Sequence, residues 1–166
     1  MTTLELLSTL KVSEKRSKLV LPFANCTKDV FSMMLNWETE LVGIYTNNSF
    51  QSRYDCSGFI GVSGALQGSI VVSIDQDVAF AAAEAFLGTR PPSINSEVID
   101  MVGELTNMIA GASKDRIGIP GISLGLPTVI TGRDHKVSFA NSAHVEILQF
   151  SSSYGNLTVE IGVRGL

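Results

Sequence analysis

An α+β domain built from two α-β-β units about a pseudo-twofold axis is the fold class this sequence predicts, on three observations. Residues 22–36 and 93–117 each place apolar side chains at steps of three and four, the spacing of an amphipathic helix. Short β-forming runs follow each of them. The two helical stretches also match one another at a fixed offset of 71 residues, as a duplicated unit would.

A chain of 166 residues can bury one sizeable core, and no Pro/Gly/Ser linker divides it. The expected organisation is an N-terminal extension over 1–20 and one domain over 21–166. Formal net charge is −4 and the basic residues form no run beyond Lys15, Arg16 and Lys18, so nucleic acid is not expected as a partner. Cys26 and Cys56 match no metal or redox spacing and read as buried free thiols in a reducing compartment. No basic segment leads into an apolar core at the N-terminus, and no uncharged apolar run approaches the 18 or so residues of a membrane span. A cytoplasmic protein without membrane insertion is expected.

Residues 1–18 open with Leu4, Leu7 and Leu10 at helical spacing and then turn charged, which reads as a short helix or a partly ordered tail. Pro22 suits a first helical position, and Phe23, Cys26, Thr27, Val30, Phe31, Met34 and Trp37 then step along one face to an end near Asn36. Residues 40–46 read as a strand. Runs 56–63 and 66–74 follow, joined by a turn at Gly64, with Gln67-Gly68 marking a bulge or a close backbone approach. A third helix spans 77–87 through Val78, Ala81, Ala82, Ala85 and Phe86; Asp75 or Asp77 starts it and Gly88 ends it.

The stretch 93–117 carries the most information. Val98, Met101, Val102, Leu105, Met108, Ile109 and Ala112 fill an arc of roughly 120°. Asp100, Glu104 and Asn107, at i, i+4 and i+7, share a polar stripe pointing away from it. Gly111 lies under that stripe one turn on, and Gly103 lies beside it. Each helical glycine costs about 1 kcal/mol against Ala, which either close approach of another surface or tight internal packing would offset. Ser93, Asn95 or Ser96 caps the start; Lys114, Arg116, Gly118 and Pro120 mark the end. Three further β-runs, 122–131, 143–150 and 156–163, complete the chain. The last alternates Leu157, Val159, Ile161 and Val163 against Thr158, Glu160 and Gly162, predicting one buried face.

At the offset of 71, Thr27, Val30, Phe31, Met34 and Trp37 fall on Val98, Met101, Val102, Leu105 and Met108. Asp29 and Asn36 fall on Asp100 and Asn107, whereas Met33 stands where the second copy has Glu104. The common helical period forces part of this match; the placement of Asp and Asn is not forced.

Asp100-x3-Glu104-x2-Asn107 within GELTNMIAGASKDRI, followed by SLGLPTVITG, resembles the CheX/CheC/FliY family of chemotaxis phosphatases. VFSMMLNW at 30–37 and GALQGSIVVSI at 64–74 resemble the CheX branch. The resemblance implies a CheC-like fold, with helices packed on an antiparallel sheet, and dephosphorylation of a phosphorylated CheY-like response regulator. It places Glu104 and Asn107 as the catalytic pair, with Asp100 at the leading position of the motif; the helix face itself makes Asp100, Gly103 and Gly111 the candidate binding residues. It implies no cofactor on this chain and Mg2+ on the partner receiver. Met33 fits the one-site pattern of CheX-like members, which form homodimers. Pro127 follows Asn107 by 20 residues, slightly sooner than in the family motif, and that departure bears on the intervening loop.

The chemistry stands on its own terms. A phosphoaspartate is an acyl phosphate, so an enhancing protein need mainly place a water in line with phosphorus. The carboxamide of Asn107 can accept a hydrogen bond from that water and donate one to a phosphoryl oxygen. Glu104 can pair with the lysine that receivers carry beside their phosphate.

Two other classes remain open. One is a non-catalytic receiver-binding adaptor, against which the intact Glu104–Asn107 pair argues. The other is a serine hydrolase, because Gly121-Ile-Ser123-Leu-Gly125 matches G-x-S-x-G; that motif works on a strand-to-helix turn, whereas here a helix precedes it. His135 and His144 read as surface or strand residues. The alternating last strand is expected to lie at a sheet edge and to pair with a second copy.

Overall fold

The computed structural model describes residues 2–46, 54–133, 135–140 and 143–165. Its elements run α1 (Thr3–Thr9), α2 (Glu14–Leu35), β1 (Thr39–Thr46), β2 (Cys56–Gly64), β3 (Gln67–Ile74), α3 (Gln76–Leu87), α4 (Ser96–Ile117), β4 (Ile122–Leu124), β5 (Thr128–Thr131), β6 (His144–Ser152) and β7 (Gly155–Arg164). The strands form one antiparallel sheet in the order β1, β6, β7, β3, β2, with β4 and β5 both on the outer side of β2.

That order is its own reverse when β1 is exchanged with β4–β5, β6 with β2, and β7 with β3. A pseudo-twofold therefore passes between β3 and β7, the α+β duplication that the helix match predicts. Beside the two strands of its α-β-β core, each unit carries the first β-run after its long helix, which crosses to the other half: β1 pairs with β6, and β4 and β5 pair with β2. Both crossing strands hold one extra residue. Leu41 pairs with Phe150 and Gly43 with Gln149, which leaves Val42 unmatched; Leu124 pairs with Val62 and Thr128 with Phe59, setting three residues against two.

One face of the sheet and the four helices build the main core. Ile70, Val72 and Ile74 of β3, Leu157, Val159, Ile161 and Val163 of β7, and Leu148 and Phe150 of β6 meet Phe23, Phe31, Val102, Leu105 and Ile109 from α2 and α4. Each such side chain contributes about 1.5–3 kcal/mol by leaving water. Cys26 and Cys56 are both free and buried, as expected. Among the described residues no helix is long and apolar enough to cross a membrane.

The structure corrects several expectations. Helix α2 begins at Glu14, capped by Ser13, so Pro22 lies inside it; Leu19 and Val20, one turn earlier, are fully buried, and that packing carries the helix through. The run 122–131 is two strands, because the extra residue breaks it at 125–127. At Gln67-Gly68 the register is continuous, and the alternative reading holds: a Cβ on Gly68 would stand 1.9 Å from the Gly162 carbonyl oxygen. Ala85, Phe86 and Ala112, assigned to apolar helix faces, are exposed.

β7 departs most. It lies in mid-sheet between β6 and β3, with both sides paired, so it offers no edge to a second copy. Its second face is covered as well: Thr158 and Glu160 are buried, and the Phe139 ring lies against Gly162. Tyr54, Val71, Val145 and Ile147 are buried on that same side.

Candidate functional site

Helix α4 starts where Asn95 turns its side-chain oxygen back to accept from the Val98 N–H at 3.1 Å. It ends at Gly118 in the left-handed region (φ 68°), with Lys114 and Arg116 in the last turn. Val98, Met101, Val102, Leu105, Ile109 and Ala110 are buried on its inner face. Thr106 is fully buried over Gly58 of β2, its hydroxyl donating to the Val102 carbonyl at 2.7 Å. The inner face thus fixes the rotation of the helix, and with it the direction of the outer face.

Asp100, Glu104 and Asn107 all lie exposed on that outer face. Among the described residues none of the three makes a hydrogen bond or ion pair within the chain. Two carboxylates and a carboxamide therefore stand together in solvent with their bonding capacity free. The two glycines separate. Gly111 opens onto empty space, with nothing beyond its own helical backbone and chain neighbours within 4 Å of where a Cβ would be. Gly103 is buried against Pro127 and Val129, which favours the packing reading for it. That contact brings Pro127, 20 residues beyond Asn107 in the chain, onto α4.

The equivalent surface of α2 is not a second copy. Asp29 accepts from Arg116 at 2.5 Å, Met33 is exposed, and Asn36 is the left-handed C-cap of the helix rather than a member of a helical stripe. Ser123 sits on the edge strand β4 opposite Ser63 and not on a strand-to-helix turn, which removes the geometry a serine nucleophile needs. His135 instead lies 2.6 Å from the buried Ser57 hydroxyl and 2.7 Å from the Gly132 carbonyl, and His144 lies 2.6 Å from Glu146. Among the described residues no group of three His, Cys, Asp or Glu side chains could hold a metal ion.

The segment 125–127, beside the stripe, has no role evident from the sequence. Its signals in the sequence are its place in SLGLPTVITG and the Asn107-to-Pro127 spacing, whereas the contact with Gly103 depends on how β4 and β5 pair with β2.

The sequence model of the family described as "Chemotaxis phosphatase CheX" matches residues 56–151. The "CheY-P phosphatase CheX" of Thermotoga maritima is 29% identical over 110 residues, covering 64% of this chain and 71% of that protein. The crystal structure of the chemotaxis protein CheX from Vibrio vulnificus has a TM-score of 0.83 at 31% identity, over 89% of this chain and 99% of that one. A CheC-like superfamily protein from Shewanella sp. PV-4 has a TM-score of 0.83 at 30% identity, over 89% and 98%. The fold is thus common to all three chains, the family model spans more than half of this one, and the protein belongs to the CheX family of chemotaxis phosphatases.

Proposed function

We propose that this protein dephosphorylates the phosphoaspartate of a CheY-like response regulator, using Glu104 and Asn107. The observation that carries the reading is an exposed carboxylate and carboxamide one turn apart on α4, with no partner among the described residues of their own chain. Family membership and the activity named for the Thermotoga maritima relative support it.

When α4 docks on the receiver, Asn107 enters the phosphorylation site. Its Oδ1 accepts a hydrogen bond from a water and its Nδ2 donates to a phosphoryl oxygen, holding the water in line with phosphorus. The new P–O bond forms as the bond from phosphorus to the aspartyl oxygen breaks, leaving the receiver carboxylate and inorganic phosphate. Mg2+, if held by the receiver, would supply charge stabilisation to the phosphoryl oxygens. Glu104 forms a charge-assisted hydrogen bond with the receiver lysine and sets the docking register. Asp100 and the bare backbone at Gly111 contribute to the contact surface.

The protein acts in the cytoplasm as a homodimer in this reading; with β7 inside the sheet, the strand edges open to a second copy are β1 and β4–β5. A monomeric mass by light scattering at micromolar concentration would reject the dimer.

The test follows phosphate loss across a panel of phosphorylated receivers with wild type, Asn107→Ala and Glu104→Ala. Acceleration by wild type that falls toward the receiver's own rate in both variants is expected. Equal rates in all three proteins would remove the assignment. Binding of a phosphorylated receiver without shortening its lifetime would favour an adaptor.

A further inference from the structure

Leu126 stands in water at 91% exposure, more than any other large apolar side chain among the described residues. It is nevertheless held on both sides. The N–H of Gly125 donates to the Gly61 carbonyl at 2.9 Å. Pro127 lies on Gly103, with its Cβ and Cγ 3.9 Å from where a Gly103 Cβ would be. Pairing resumes at once, Thr128 opposite Phe59. Leu126 is therefore the residue a β-bulge pushes outward, and bulges of this kind re-aim side chains beside active sites.

The place matters. Gly103 precedes Glu104 by one residue and Asn107 by one turn, so the strand segment that presents Leu126 is packed against the helical turn that presents the proposed pair. In the other unit the equivalent extra residue is Val42, smaller and 46% exposed, and the neighbouring helix has Met33 in place of Glu104. The outward leucine and the acid–amide stripe thus occur in the same unit.

Resting on the function proposed above, we propose that Leu126 is a docking residue that inserts into an apolar patch of the receiver next to its phosphorylated aspartate. A rigidly presented apolar side chain loses little entropy on burial, and a single anchor of this type commonly dominates a small contact. Leu126 touches the receiver surface and not the phosphoryl group. It therefore sets affinity and receiver choice, while Asn107 sets the rate of the bound complex.

The experiment measures KM and kcat for the receiver that wild type turns over fastest, with full-length Leu126→Ala and Leu126→Asp. Expected is a rise in KM of about tenfold for Leu126→Ala and more for Leu126→Asp, with kcat within about twofold of wild type. Melting temperatures should be unchanged, as befits an exposed side chain. If the receiver is hydrolysed in an Asn107-dependent way and KM stays within about twofold in both variants, the docking role alone is refuted. If wild type accelerates no receiver, the phosphatase reading fails and takes this inference with it.

Discussion

The Thr106 side chain occupies the space above Gly58: a Cβ built on that glycine would stand 1.9 Å from Thr106 Oγ1 and 2.8 Å from its Cβ. Helix α4 can lie this close to β2 only because residue 58 has no side chain. Thr106 adjoins Asn107 in the chain, so the height of the proposed site above the sheet depends on this contact. Gly58→Ala is expected to destabilise the protein by about 1–3 kcal/mol and to lower receiver turnover with it. Combining it with Thr106→Ala should recover part of the loss, a non-additivity that a thermal-melt double-mutant cycle would detect. Full additivity would contradict the contact.

Arg16 holds the fully buried Glu146 through two bonds, Nε to Oε1 at 2.6 Å and Nη2 to Oε2 at 2.8 Å. This fork ties the first turns of α2 to β6. Removing the guanidinium leaves the buried carboxylate with His144 alone, 2.6 Å from Oε1; breaking a buried pair outright costs about 3–5 kcal/mol, and with His144 kept and Arg16 27% exposed, Arg16→Ala should fall at the low end or just below it. Arg16→Lys should restore little of it, since one ammonium cannot make the bidentate pair. A urea midpoint equal to wild type in Arg16→Ala would refute the role.

Burial pushes the Cys56 thiol from its ordinary 9.0 up to about 11, and burial raises the Tyr54 phenol in the same direction. The unfolded chain therefore releases the Cys56 proton first. The contribution of this thiol is constant below about pH 9 and falls between pH 9 and 11, by on the order of 2 kcal/mol. Cys56→Ala should flatten that decline. Parallel stability curves for the two proteins across this range would contradict it.

The two glycines of α4 make opposite predictions for function. A Cβ at Gly103 would meet Val129 at 3.5 Å, an ordinary contact, so Gly103→Ala should gain up to about 1 kcal/mol with unchanged turnover. Gly111→Ala should gain similar stability in open space yet raise KM for the receiver, because its methyl group stands on the docking side. Identical kinetics in the two variants would exclude Gly111 from the contact.

The parts of this fold legible in the sequence are those that a single periodic segment decides. The periodicity places helix α4 within three residues of its observed start, with its cap Asn95 among the candidates, its left-handed Gly118 and its outward Asp100, Glu104 and Asn107. The β2–β3 pair and α3 were read nearly as well. What was hidden depends on residues far apart in the chain. The position of β7 is set by its neighbours, and the cover on its polar face comes from Phe139. The true start of α2 rests on tertiary burial of Leu19 and Val20, against the local signal of Pro22. Leu126 reads as an ordinary strand residue until the register with β2 shows three residues facing two.

The most direct test of the account is single-turnover phosphate release from a phosphorylated receiver mixed with saturating wild type or Asn107→Ala, alongside affinity for the beryllofluoride-activated receiver. The account predicts that Asn107→Ala binds within about threefold of wild type while phosphate leaves at the receiver's unassisted rate. Release as fast as with wild type would contradict it.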